Sequence, residues 1–140
     1  MRLRDRVLVD TGAWLAAFHR RDRYHADAAR TLCRLRAERA RLIVTDLILA
    51  ELHLHLLHAI GPIRAAEHLE TLLADPLIDE VFADKAVQAA AFADWIQRYC
   101  DQAFTLTDAV SFAIMRARGM DVAFTFDRNF AIAGFSVVPS

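Results

Sequence analysis

Four carboxylates hold the chemical interest of this 140-residue chain, and each arrives in a different local setting. Asp10 closes the apolar run "RVLVD", and Asp127 closes "VAFTFD" before Arg128 to Phe130 resume as a short helix. Asp108 follows Thr107 in "LTDAVSFAIM", where Thr107 is expected to cap a helix and Asp108 to fall in its first turn. An acid in a first turn also has an ordinary explanation, because the helix dipole stabilises it without any function. Asp127 has the same two readings, helix cap or member of a site. Glu51 is different. It sits in "LILAELHLHLL" among Leu, Ile and Ala at helical spacing, where an unpaired carboxylate is expensive to bury.

If the four acids shared one crevice they would repel, each pair ~5 Å apart costing about 3 kcal/mol at an effective dielectric near 20. Hard divalent cations with oxygen ligands are the usual remedy. Mg²⁺ or Mn²⁺ held by acidic side chains supports hydrolysis of phosphodiesters, with water as the nucleophile.

The elements that would carry these residues alternate along the chain. Short apolar runs at 6–10, 41–45, 78–82, 122–126 and 135–138 read as strands. Helical patterns lie near 13–19, 24–39, 46–59, 62–74, 85–99 and 108–118, with one further turn after Asp127. Continuous β-branched strands separated by helices predict an α/β fold with a parallel sheet covered on both faces. Such sheets bind ligands beyond the carboxyl ends of their strands, where Asp10 and Asp127 both fall.

Composition narrows the class. With 56% hydrophobic and 25% charged residues the chain reads as one globular domain over 1–140, not a disordered segment. Its net charge of −1 names no partner, but the charge is uneven: residues 1–41 hold eleven basic against five acidic residues, and the remainder six against thirteen. That asymmetry fits a nucleic-acid or partner surface. Cys33 and Cys100 lack metal-binding spacing and are expected to be free buried thiols, which fits a reducing cytoplasm. Asp5 and Asp10 interrupt any signal-peptide core, and Asp46, Glu51 and three His exclude a membrane span from the greasiest stretch.

The wording and order of "VLVDTGAW", "TDLILAEL", "LTDAVSFAIMRARGMDVAFTFDRNF" and a closing "GF" resemble the PIN-domain ribonucleases, and among them the VapC-type toxins of toxin–antitoxin pairs. The resemblance runs the length of the chain. It implies a three-layer α/β/α fold about a parallel sheet of four to five strands, and Mg²⁺- or Mn²⁺-dependent endonucleolytic cleavage of RNA. It implies that Asp10, Glu51, Asp108 and Asp127 are the metal ligands. Thr11 and Thr107 match hydroxyl positions that help hold metal-bound water or phosphate. It further implies a cognate antitoxin and a homodimer. One position departs: Asn129 stands where many members carry His, which predicts a changed supporting contact and an intact site.

Other residues carry weaker expectations. Arg128 is placed to touch a phosphate, and Arg30 and Arg34 share a helical face that could meet RNA, an antitoxin or only solvent. His53 and His55 point to opposite sides of a helix, while His55 shares a face with Glu51. Trp14, Trp95 and Phe92 read as core or interface. Three other readings remain beside the toxin: an aspartyl-phosphate enzyme starting from "VDTG", disfavoured by Gly12 where a second acid would stand; a housekeeping RNA-processing nuclease; and a non-cleaving RNA- or metal-binding module.

Overall fold

The computed structural model describes residues 5–140. In chain order its elements are β1 (Arg6–Val9), α1 (Thr11–Phe18), α2 (His25–Ala37), β2 (Arg41–Thr45), α3 (Asp46–Ala74) and β3 (Ile78–Val81). There follow α4 (Lys85–Ala90), which continues as a π-helix over Ala91–Gln97, then α5 (Leu106–Ala117), β4 (Val122–Phe124), α6 (Asn129–Ile132) and β5 (Ser136–Val138).

The five strands form one sheet in the order β3-β2-β1-β4-β5, every pair parallel. Leu8 is in register with Ile43 on one side and Ala123 on the other. Right-handed crossovers then place α1, α2 and α3 on one face and α4, α5 and α6 on the other. The packing agrees: α1 lies on α2 and α3, and α5 lies on α4, the π-helix and α6. This is the expected α/β/α sandwich. The chain winds outward in both directions from β1 and β4, so the carboxyl ends of those two strands form the switch point where such sheets bind ligands.

Burial explains the central strands. Val7, Leu8, Val9, Leu42 and Val44 are wholly buried, because a central strand under helices on both faces has no solvent side. Behind α5, Phe112 meets Trp95, Phe104, Phe130 and Phe135 with ring centroids 4.9–5.7 Å apart. Truncating Phe112 to Ala would cost about 3–5 kcal/mol and loosen the helix that carries Asp108.

The two helices expected at 46–59 and 62–74 are borne out: α3 is broken between them at Gly61, whose φ of +81° is open to glycine and strained for other residues. Pro62 follows and restarts the helix. Several expectations need correction. The expected helix at 85–99 changes to π geometry from Ala91, and strand β4 stops at Phe124, two residues short of its expected end. Cys33 and Cys100 are exposed, not buried. The inward side of α2 is set by Ala28, Thr31 and Leu35, which turns Cys33 outward. Trp14 and Trp95 are core residues, whereas Phe92 is 49% exposed. No helix among the described residues is long and apolar enough to cross a membrane.

Candidate active site

Asp10 ends up one residue beyond β1, as the N-cap of α1, with Oδ1 accepting from the Thr11 amide at 2.9 Å. Its own amide donates to the Phe124 carbonyl of β4 at 3.0 Å, which fixes it beside the neighbouring strand end. Thr125 lies just past that strand. Its hydroxyl donates to Asp10 Oδ2 at 3.1 Å and accepts from the Asp127 amide at 2.9 Å. One threonine therefore ties the two strand-end acids together. Nothing in its local sequence had singled Thr125 out beyond a hydroxyl two residues before Asp127.

Asp108 is set by α5. The expectation that Thr107 caps this helix is corrected: Thr105 is the N-cap, its side chain accepting from the Asp108 amide at 3.0 Å. Asp108 Oδ2 in turn accepts from the Thr105 amide at 3.1 Å, completing a capping box. The three-residue spacing from Thr105 to Asp108 was the available signal. Thr107, freed from capping, is buried in the first turn and donates its hydroxyl proton to Glu51 Oε2 at 2.7 Å.

Glu51 reaches the site from the second turn of α3, and its other oxygen accepts from the Thr11 hydroxyl at 3.1 Å. The hydroxyls that follow Asp10 and precede Asp108 thus grip the two oxygens of one glutamate. Each Glu51 oxygen keeps a free lone pair for a further contact. Both threonine protons are committed to Glu51 here, so these hydroxyls face any incoming group as acceptors.

Asp127 is exposed. Its Oδ1 accepts from the Asn129 amide at 2.9 Å, closing a local turn that leads into α6, whose N-cap position is Arg128. The Asn129 side chain donates to Asp108 Oδ2 at 3.2 Å. Asn129 therefore bridges the third and fourth acids, while Arg128 is exposed beside them.

The electrostatics are those of crowded acids. The Asp10 carboxyl is pushed up from 3.8 to about 7, first by burial, with the charges of Asp108 and Asp127 adding to it. Hydrogen bonds from Thr11 and Thr125 oppose the rise only in part. Asp108 is also raised, by burial first and then by Asp127. As the side chains stand, no three acidic, His or Cys groups among the described residues are gathered closely enough to enclose an ion. The donor chemistry nevertheless fits a hard divalent cation: the donors are all oxygens, and the Asp10, Asp108 and Asp127 charges disfavour one another until a cation is added.

The remaining expectations separate cleanly. His55 is exposed and lines a cleft of about 320 Å³ between α1 and α3 with His19 and His68. His58 Nδ1 lies 2.9 Å from the Leu54 carbonyl. Asp46 accepts from the Ala83 amide at 3.0 Å and anchors the end of β3. Arg30 pairs with Asp27 on the exposed face of α2.

Comparison with known proteins gives the same direction. Residues 7–136 match the PIN domain family. The chain is 31% identical over 134 residues to the 23S rRNA-specific endonuclease VapC20 of Mycobacterium tuberculosis, covering 92% of this chain and 95% of that one. The crystal structure of that protein, described as a sarcin-ricin loop cleaving toxin, superposes with a TM-score of 0.80 at 28% identity, over 92% of this chain and 95% of the other. FitAcB from Neisseria gonorrhoeae shares the fold, with a TM-score of 0.67 at 18% identity over 94% and 95% of the two chains.

Proposed function

Since the chain belongs to the PIN domain family, we propose that it is a divalent-metal-dependent endoribonuclease and the toxin of a toxin–antitoxin pair. The observation that supports this most is the grip on Glu51 by the hydroxyls of Thr11 and Thr107, which joins the strand-end acid Asp10 to the helix acid Asp108. Three segments distant in sequence meet there through these two hydrogen bonds, at the switch point of the sheet.

In this reading Asp10, Glu51, Asp108 and Asp127 hold Mg²⁺, with Mn²⁺ able to substitute. The bound cation supplies activation of water and neutralisation of charge on the phosphodiester. The chain's own residues orient and exclude. Thr11 and Thr107 fix the glutamate, Thr125 fixes Asp10, and Asn129 holds Asp108. Arg128 and Asn129 stand at the exposed rim where a substrate phosphate would arrive. Cleavage by water leaves a 3′-hydroxyl and a 5′-phosphate. A cognate antitoxin, a homodimer and a cytoplasmic location complete the proposal.

The named specificity of the relative makes 23S ribosomal RNA, and its sarcin-ricin loop, the first substrate to examine. Sequencing 5′-phosphorylated RNA ends after induced expression tests the reading. Ends accumulating at one or a few sites support it, and a profile identical to uninduced cells overturns it.

A further inference from the structure

We infer that the loop between α1 and α2, residues 19–24, holds the RNA backbone beside the acidic edge, with Arg23 as the phosphate contact. This rests on the endoribonuclease reading above. The loop reads "HRRDRY", and its three arginines, Arg20, Arg21 and Arg23, are exposed. Its one acid is used internally: Asp22 Oδ1 accepts from the Tyr24 amide at 2.8 Å, and its backbone closes turns to His19 and His25. No ion pair engages the three arginines among the described residues.

A stack of side chains brings this charge to the site. The Tyr24 ring lies parallel to the Phe126 ring, with centroids 4.5 Å apart and 6° between the planes. Phe126 immediately precedes Asp127 and also meets Phe124 of β4. The Arg23 guanidinium sits 4.6 Å from the Tyr24 centroid. Phe126 and Arg23 both lie against the Tyr24 ring, so it is already engaged within the protein and is not offered as a nucleobase platform. The guanidinium is in the opposite condition. Stacking occupies its face and leaves its N–H edges free, and that fork matches two oxygens of one phosphate.

The acidic edge needs such a neighbour. Four carboxylates repel a polyanion, so RNA must be held by cations set close beside them. Arg30 and Arg34 fit this role less well, because Arg30 already pairs with Asp27 and both lie on the outer face of α2.

The test uses the full chain with a labelled RNA hairpin of sarcin-ricin sequence and a second hairpin with a scrambled loop. Arg23→Gln should weaken binding of both hairpins by roughly tenfold and lower the slope of log affinity against log salt by about 0.7–0.9. KM should rise with a much smaller change in kcat. Arg23→Lys should restore the salt slope but only part of the affinity, since charge returns without the fork. Tyr24→Leu, checked for folding by thermal melting, should weaken binding with the charge retained. Arg20→Gln with Arg21→Gln provides a second variant with no stacking role. If wild-type protein cleaves while Arg23→Gln and the double variant bind RNA normally, the inference fails and the ribonuclease reading survives. Loss of antitoxin affinity in those variants, with RNA binding intact, would assign the loop to the antitoxin instead and overturn it. A wild-type protein that neither binds nor cuts RNA overturns both.

Discussion

Thr107 Oγ1 donates to Glu51 Oε2 at 2.7 Å, across 56 residues of sequence. With the matching bond from Thr11 to Oε1, it fixes both oxygens of the glutamate. Thr107→Val should lower stability by about 1 kcal/mol, the usual net worth of one such bond. It should lower cleavage by at least about tenfold, because a ligand displaced by a fraction of an ångström no longer meets the substrate correctly. Combining it with Thr11→Val should be non-additive, since both act on one carboxylate. Urea melts and cleavage rates of the four proteins measure this.

Asp127→Asn and Asp10→Asn each remove one charge from mutually repelling acids. The metal-free Asp10→Asn protein should become more stable than wild type by about 1 kcal/mol or more, and Asp127→Asn by less, because that carboxylate is exposed and its repulsion is screened. The thermal stabilisation produced by adding Mg²⁺ should shrink, because that gain follows the affinity of the ligand set. Asp101→Asn, at an exposed turn, should change neither. Melting curves with and without Mg²⁺ distinguish a site acid from a turn acid. Zn²⁺ should substitute poorly in the same assay, because nitrogen and sulfur ligands are missing from the proposed set.

Asp10 also predicts a pH dependence of the metal-free fold. Its carboxyl is raised from 3.8 to about 7 in the folded chain, so folding favours its protonated form. Its contribution is therefore greatest below the unfolded value and is lost as pH rises through about 7. Asp108, raised as well, acts in the same direction. In chelator, the melting temperature should fall between about pH 5 and about pH 8, and Asp10→Asn should flatten that fall. Added Mg²⁺ should stabilise more at the upper end, because ligands must be deprotonated to bind.

Much of the candidate site's arrangement is legible in the sequence, and what is not has physical causes. Asp10 and Asp127 declare themselves because a buried apolar run ends on each, and Glu51 because its helical neighbours are apolar. Thr107 is less legible, since it bonds Glu51 and leaves the cap to Thr105. Thr105 and Thr107 both precede Asp108, and one offset separates a cap from a buried hydroxyl; only the capping-box spacing decides it. Thr125 was invisible, since a threonine at a strand end also fits plain β-propensity. The Tyr24–Phe126 stack joins residues far apart in the chain and follows from the fold alone. The exposed cysteines run against a general preference for burying thiols, although the Ala28, Thr31, Leu35 periodicity puts Cys33 on the outer face of α2.

Asn129 offers a narrower prediction. Its side chain donates to Asp108 at 3.2 Å while its backbone amide donates to Asp127 Oδ1 at 2.9 Å. Asn129→Ala should lower cleavage by roughly tenfold through Asp108, leaving the amide contact in place. Asn129→His should retain activity, because a ring N–H can donate in the same place. Steady-state kinetics on one RNA compare the three proteins.

The most direct measurement is cleavage of an end-labelled RNA by purified protein under three conditions: with Mg²⁺, in excess chelator, and after Mg²⁺ is restored. Wild-type protein should cut at defined positions, stop in chelator and resume on restoration. Asp10→Asn should be slower than wild type by orders of magnitude whenever Mg²⁺ is present. Cutting that persists in chelator, or an Asp10→Asn protein that cuts at the wild-type rate, would contradict a metal-dependent acidic site.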